Sequence, residues 1–229
     1  MSWPAGGGRF VVLEGGDGAG RSTQVRLLLP WLAEQGCAAV HVGLGRSSVA
    51  RRAFRSYRRT REAGVRTLAL LYASDLNDQL ERRIAPAVES GFLVLADRWT
   101  ATARARCLVR GADPAWLEGI LPAAPAPDLT CYLSVAPQQR LAREIRKRGL
   151  PEFTESGRDL GLDPDPLRSF IRYQALLDAE YERVGRAAGA AWRALPADLP
   201  PAELQAELRA SVAGLVAPDA QPVGGALDG

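Results

Sequence analysis

The chain has 229 residues, 47% hydrophobic and 24% charged, which is the profile of an ordinary globular protein large enough for one sizeable core. Its net charge of +3 demands no polyanionic partner, and three cysteines with a single histidine cannot build a structural zinc site or a disulfide framework. Met1–Gly6 lacks a signal pattern and no apolar run is long enough for a bilayer, so the expectation is a cytoplasmic protein with reduced thiols at Cys37, Cys107 and Cys131.

The first predicted element is a short buried strand, Arg9 to Leu13, rich in β-branched and aromatic residues. Gly15-Gly16-Asp17-Gly18-Ala19-Gly20-Arg21-Ser22-Thr23 follows, and from Thr23 a helical pattern runs until it fades at Gly36. Strand, glycine-rich turn and helix form the context in which a phosphate-loop pattern has physical meaning. The glycines permit positive φ and close approach to an anion, while freed N–H groups and the helix N-terminus point at one spot. Ser22 supplies the hydroxyl that such loops place on Mg²⁺. The pattern wants lysine where this chain has Arg21, in a sequence whose sole lysine is Lys147. A planar guanidinium is larger and differently hydrated than an ammonium. The alternative to triphosphate binding is a glycine turn that no longer holds nucleotide.

A second strand is predicted over Ala38–Val42, then a polar loop to Ser48 and a basic helix from Val49 to Arg61. A longer helix spans about Val65 to Ser90, with Leu68, Leu71, Tyr72, Leu76, Leu80 and Ile84 at helical spacing and Pro86 bending its last turn. Phe92–Ala96 reads as the cleanest buried strand and ends at Asp97-Arg98-Trp99. A short helix from Pro114 to Leu121, a rigid connector from Pro122 to Pro127 and a strand over Leu129–Val135 come next. Pro137 starts a helix to about Arg148, and Gly149 to Asp163 reads as a mobile loop. The remaining elements are a helix from Pro166 to about Arg186, a strand over Ala190–Leu195 and a helix from Pro201 to Val216. Gln221 to Gly229 has the composition of a disordered tail, so a single kinase-like domain is expected over 1–216, with a tail over 217–229.

Alternating strands and helices imply an α/β fold: a three-layer parallel sheet with helices on both faces, of P-loop type. In such sheets the ligand site lies at the carboxyl ends of strands, where both the glycine loop and Asp97-Arg98 fall. Arginine concentrates between residues 46 and 66 and again between 140 and 158. Phosphates of small substrates are the economical partners for those clusters. No basic motif with interleaved aromatics supports nucleic acid.

With these landmarks placed, the chain resembles the thymidylate kinases, among the nucleoside monophosphate kinases, over roughly residues 9 to 216. The likeness rests on Glu14 through Gln24, on Leu70-Leu71-Tyr72-Ala73-Ser74-Asp75, on Gly91 through Trp99, and on Pro127-Asp128-Leu129-Thr130 leading into Tyr132-Leu133. The resemblance implies ATP as phosphoryl donor and Mg²⁺ as its metal, a phosphorylated small-molecule acceptor, and a possible homodimer. It would set Gly15, Gly16, Gly18, Ala19, Gly20, Arg21, Ser22 and Thr23 around the donor triphosphate, with Ser22 and Asp97 at the metal. Asp17 and Arg98 would serve the acceptor's phosphate, Tyr72 would stack on its base, and Thr102 would line its pocket. Arg143, Arg146, Lys147 and Arg158 would close over the donor from a lid at about 143–163.

The departures cluster at the acceptor. The family's arginine four residues after the stacking aromatic is Leu76 here, its Arg-Glu-Pro-Gly segment is replaced by Val42-Gly43-Leu44-Gly45-Arg46, and its Tyr-Gln pair becomes Arg106-Cys107. Plainer readings stand beside each assignment: Tyr72 and Leu76 as core residues, Asp97-Arg98 as a structural ion pair, Arg106 as a surface residue or a ligand for an extra acidic group. The expected function is therefore an ATP- and Mg²⁺-dependent phosphotransferase acting on a nucleoside monophosphate other than, or in addition to, thymidine monophosphate. The alternatives are an impaired nucleotide-binding protein with a regulatory role and a kinase of a non-nucleotide acceptor.

Overall fold

The computed structural model describes residues 7–60, 63–121 and 126–216, so the expected tail and part of the proline connector lie outside the described residues. Five strands form the sheet: β1 (Arg9–Glu14), β2 (Ala39–Gly43), β3 (Leu93–Asp97), β4 (Leu129–Ser134) and β5 (Trp192–Pro196). Their spatial order is β2-β3-β1-β4-β5 and every pairing is parallel. The central strands are apolar between their ends, as in Phe10–Leu13 of β1 and Leu93–Ala96 of β3, because both their faces are covered. Every residue of β3 is buried, and so is every residue of β1 after Arg9.

Nine α-helices are described: α1 (Arg21–Glu34), α2 (Arg51–Thr60), α3 (Val65–Gln79), α4 (Ala85–Glu89), α5 (Thr100–Leu108), α6 (Pro114–Ile120), α7 (Pro137–Arg148), α8 (Pro166–Ala188) and α9 (Pro201–Val212). α1 and α9 pack on one face with Leu28, Leu32, Leu204 and Leu208 against Val11, Leu13 and Leu95. α3, α5 and α6 cover the other face, where Leu68, Leu76, Ala103 and Leu117 meet Phe10, Val12 and Val94. Each fully buried Leu or Phe there stabilises the fold by about 1.5–3 kcal/mol relative to exposure. The ring of Phe10 meets Trp99 edge-on at 5.4 Å, which fixes the chain as it leaves β3.

The helix predicted from Val65 to Ser90 runs unbroken, but its register loosens into a π turn at Leu80–Ile84. Pro86 follows at once and has no N–H to give the preceding turn, so the helix widens where a straight continuation would clash. α5 has no counterpart among the predicted elements. Its Thr-Ala-Thr-Ala-Arg-Ala-Arg-Cys run carries no apolar stripe, and its cap comes from another part of the chain: Glu14 of β1 accepts from the N–H groups of Trp99 at 2.9 Å and Thr102 at 3.2 Å. The loop expected to be mobile after α7 is folded into turns and a 3₁₀ turn at Arg158–Leu160. Ser156 in it is fully buried, its carbonyl accepting from the Ser169 hydroxyl at 2.8 Å.

Candidate active site

β1 sits between β3 and β4, so the sheet's order changes direction at the carboxyl end of β1. That is where a doubly wound sheet opens a ligand crevice, and the glycine loop occupies it. Gly18 and Gly20 take φ of 81° and 96°, values that an L side chain adopts only with strain. Gly16 is needed for space instead: a Cβ there would fall 1.6 Å from Arg140 Nη1 and 2.4 Å from Gln174 Oε1. Gly20 is the cap residue of α1 and offers no side chain to it, which leaves the helix's first N–H groups for an anion.

Arg21 folds back on its own loop. Its Nη1 donates to the carbonyls of Gly15 at 2.5 Å and Gly16 at 2.6 Å, and its Nε donates to Asp97 Oδ1 at 2.8 Å. The Ser22 hydroxyl, at the exposed edge, donates to the other Asp97 oxygen at 3.2 Å. Burial would raise the Asp97 pKa, but Arg21 and then Arg98 more than reverse that and hold it below the ordinary carboxylate value. A hydroxyl and an ionised carboxylate side by side are hard oxygen donors of the kind Mg²⁺ takes. The residues present therefore fit the metal that a triphosphate brings.

Arg98 has φ of 73°, the only described non-glycine residue with positive φ. Strain of that kind persists only where the surroundings over-determine it. Here the Arg98 N–H is held by Leu13 O at 2.9 Å while Glu14 pins the first turn of α5 through the N–H groups of Trp99 and Thr102. The resulting direction brings Arg98 Nη2 to Asp17 Oδ1 at 2.5 Å and leaves Nη1 buried without a protein partner. Asp17 also accepts from Arg106 Nη2 at 3.2 Å and from Gln174 Nε2 at 3.3 Å. Burial alone would raise its pKa; Arg98, followed by Arg106 and Arg21, overrides that and holds the carboxyl well below its usual range.

Beyond Asp17 the crevice widens into a cavity of about 460 Å³ running from the phosphate loop to an aromatic compartment. Leu44, Phe54, Tyr57, Leu68, Tyr72 and Tyr173 wall that far end. Phe54 and Tyr72 pack at 5.1 Å, and the Tyr72 hydroxyl accepts from Arg106 Nη1 at 3.3 Å. Arg110 donates to the Tyr173 hydroxyl at 2.6 Å and to Thr154 O at 2.9 Å, joining the turn after α5 to α8 and to the folded loop after α7. The near wall is set by Asp75, whose carboxylate accepts from the N–H groups of Gly45 at 2.6 Å and Ser47 at 2.9 Å. Seven basic side chains face the cavity (Arg21, Arg98, Arg106, Arg110, Arg143, Lys147, Arg148) against three acidic ones (Asp17, Glu144, Glu155). Such a surplus in a concave site favours an anionic guest.

Of the sequence-predicted residues, Asp17, Gly18, Gly20, Arg21, Ser22, Thr23, Tyr72, Arg98, Arg106, Arg143 and Lys147 all line this one cavity. Gly15, Gly16 and Ala19 form the buried back of the loop, and Asp97 lies beneath Arg21 and Ser22. Four of the expected residues do not line the cavity. Leu76 is fully buried in the core, because its position on α3 faces the sheet. Thr102 is sealed behind the cavity wall between Glu14, at 2.5 Å, and the Tyr181 hydroxyl, at 2.7 Å. Arg158 is exposed with its guanidinium 5.1 Å from the Phe153 ring, and Arg146 of α7 is exposed; neither lines the cavity.

Sequence reading missed Arg110, Arg148, Glu155, Tyr173 and Gln174. Gln174 left one legible signal: it interrupts the inward stripe of α8 formed by Phe170, Tyr173, Leu177 and Tyr181. A glutamine in such a stripe implies a buried hydrogen-bond partner. Burial, then the neighbouring Asp17, pushes the Glu155 pKa up, and Arg148 Nη2 donates to it at 2.7 Å.

The sequence profile of the family described as Thymidylate kinase matches residues 13–160. The probable thymidylate kinase 2 of Saccharolobus solfataricus is 30% identical over 180 residues, 78% of this chain and 84% of that protein. The probable thymidylate kinase of Pyrococcus abyssi is 32% identical over 152 residues, covering 64% of this chain and 74% of its own. The thymidylate kinase of a Synechococcus species is 36% identical over 154 residues, 60% of this chain and 72% of that one. No helix among the described residues is long and apolar enough to cross a membrane.

Proposed function

The chain belongs to the thymidylate kinase family, and from that premise we propose that it transfers the γ-phosphoryl group of ATP to a nucleoside monophosphate other than, or in addition to, thymidine monophosphate. The observation that carries this reading is Arg98: its backbone is held at φ 73°, and its Nη1 is buried and unpaired beside a cavity continuous with the phosphate loop. A buried guanidinium N–H without a partner is costly in the free protein and is satisfied by an acceptor's phosphate oxygen.

Phosphoryl transfer depends chiefly on position and charge neutralisation. The loop's N–H groups and the start of α1 would hold the donor phosphates, with Arg143 and Lys147 of α7 facing them across the cavity. Segment 143–163 would act as the lid. Ser22 and Asp97 would hold Mg²⁺, which when bound neutralises phosphate charge. Arg98 would grip the acceptor's phosphate, and Asp17 would keep Arg98 and Arg106 directed at it. Tyr72 and Phe54 offer ring faces to a base.

The choice of acceptor follows from the compartment's edge. Leu76 stands where the family's base-reading arginine belongs, and it lies in the core. A base carbonyl left without that donor loses about 1–3 kcal/mol. The guanidinium groups that line the compartment are instead Arg106 and Arg110, and Arg110 is already tied to Tyr173, Thr154 and Asp159.

A coupled ADP-release assay with Mg–ATP and a panel of nucleoside monophosphates and sugar phosphates tests this. Turnover is expected with at least one nucleoside monophosphate at a kcat/KM above that for thymidine monophosphate. Background rates with the whole panel would overturn the proposal. One observation favours a second reading, an impaired nucleotide-binding protein: Arg21 spends its Nε on Asp97 and its Nη1 on Gly15 O and Gly16 O. A strong gain in turnover with Arg21→Lys supports that reading; a loss identifies the arginine as adapted.

A further inference from the structure

We propose that Gln174 of α8 is a positioning residue for the transfer: it fixes Asp17 between Arg98 and Arg106 and ties the segment carrying Glu155 to the phosphate loop. This inference rests on the reading that Asp17 borders the reacting phosphates.

The carboxamide is fully buried and every bond it makes is specific in sense. Its Oε1 accepts from the Asp17 N–H at 3.1 Å and from Arg140 Nη1 at 3.2 Å. Its Nε2 donates to Asp17 Oδ2 at 3.3 Å and to the Glu155 carbonyl at 3.4 Å. Both neighbours of the oxygen are donors and both neighbours of the nitrogen are acceptors, so a flipped amide would face four mismatched partners. A carboxylate would lose both donors, and an apolar side chain would leave the Asp17 N–H and one guanidinium arm unpaired.

Gripping both the N–H and the carboxylate of Asp17 fixes that residue's backbone and its side-chain torsion together. The grip is anchored on the far side. Arg140 pairs with Asp178, which in turn accepts from the Tyr132 hydroxyl of β4 at 2.8 Å. The loop packs directly on the amide, since only 2.4 Å separates Gln174 Oε1 from where a Cβ on Gly16 would stand. Arg140 also belongs to α7, the helix that presents Arg143 and Lys147 to the cavity. The amide thus joins the phosphate loop, α7, α8 and the folded segment at Glu155 at a single point. Buried polar hubs of this kind confer geometry as well as stability, because each member is fixed by several others.

The test compares Gln174→Met and Gln174→Glu with wild type in the full chain, using the best acceptor from the panel and calorimetric titration of Mg–ATP. Gln174→Met keeps the volume and loses the bonds: kcat is expected to fall about tenfold or more while the Kd for Mg–ATP stays within about threefold. Gln174→Glu sets a second carboxylate 3.3 Å from Asp17 Oδ2 and is expected to raise the acceptor KM as well as lower kcat. A folded Met variant with wild-type kcat and acceptor KM overturns the inference, as does a proportional fall of donor affinity, KM performance and kcat that tracks the folded fraction. Should the Met variant fail to fold, unchanged acceptor KM and kcat in the Glu variant overturn it alone. An inert wild type overturns the functional reading and this inference together; an active wild type with indifferent variants overturns only this inference.

Discussion

The two ends of the cavity are built by different means. The phosphate-loop end is made mostly of backbone: the six residues from Gly15 to Gly20 between β1 and α1 supply its N–H groups and φ values, and Ser22 in the first turn of α1 supplies its hydroxyl. The aromatic end is made of side chains from α2, α3, α5, α8 and the segment after α7, residues more than 100 positions apart in the chain. A backbone site tolerates change only by keeping its glycines, whereas a side-chain site can exchange its guest through a few substitutions. The loop's glycine pattern is kept here, and the departures from the family pattern fall mainly at the other end.

The sharpest way to break that contrast is at the residue shared by both ends. Arg98→Ala removes a buried cation and leaves Asp17 partly unpaired, so stability should drop by about 3 kcal/mol and kcat/KM for the acceptor by about 10³-fold. Denaturant unfolding and steady-state kinetics measure the two effects, and near wild-type kinetics would show that the acceptor phosphate is held elsewhere. Gly16→Ala probes the backbone end. A methyl group driven into Arg140 and Gln174 should cost about 2–3 kcal/mol and abolish detectable Mg–ATP binding, as read by unfolding and calorimetry.

Acid should separate the charged centre from the rest of the fold. Asp17 and Asp97 are both held below the ordinary carboxylate pKa in the folded chain. Their contribution to stability is therefore complete above the unfolded value, about pH 4, and is lost as pH falls through the folded values. Glu14 has the opposite sign, because burial raises its pKa; its contribution weakens as pH rises past the unfolded value. Unfolding free energy measured between pH 7 and pH 3 should thus fall more steeply for wild type than for Asp17→Asn over the acidic part of that range. Equal slopes would contradict the pairing. The smallest effect belongs to the aromatic end: Tyr72→Phe removes only the hydroxyl that accepts from Arg106, and acceptor KM should rise by about threefold, equivalent to under 1 kcal/mol.

Legibility in the sequence follows the same division. The parallel sheet, the glycine loop and the Asp97-Arg98 corner are encoded in contiguous residues, so apolar runs and glycine spacing reveal them. α5 was invisible because its cap is a carboxylate from β1, a partner 85 residues away from Trp99. Leu76 and Tyr72 share a helical spacing, yet one faces the sheet and the other the cavity, a difference that depends on how α3 rolls against its neighbours. Segment 149–163 reads as a loop because its composition is polar and aperiodic, but Ser156, Thr154 and Glu155 are ordered by hydrogen bonds from Ser169, Arg110 and Arg148, all outside the segment. Pairwise partners of that kind leave no periodic trace.

The most direct measurement is a calorimetric titration of the wild-type chain with ATP in the presence of Mg²⁺. Saturable heat with a single site per chain is expected, since the loop's amides, the start of α1 and the Ser22–Asp97 pair remain arranged for a triphosphate. Absence of heat at millimolar nucleotide would contradict the claim that this loop still holds a phosphate chain.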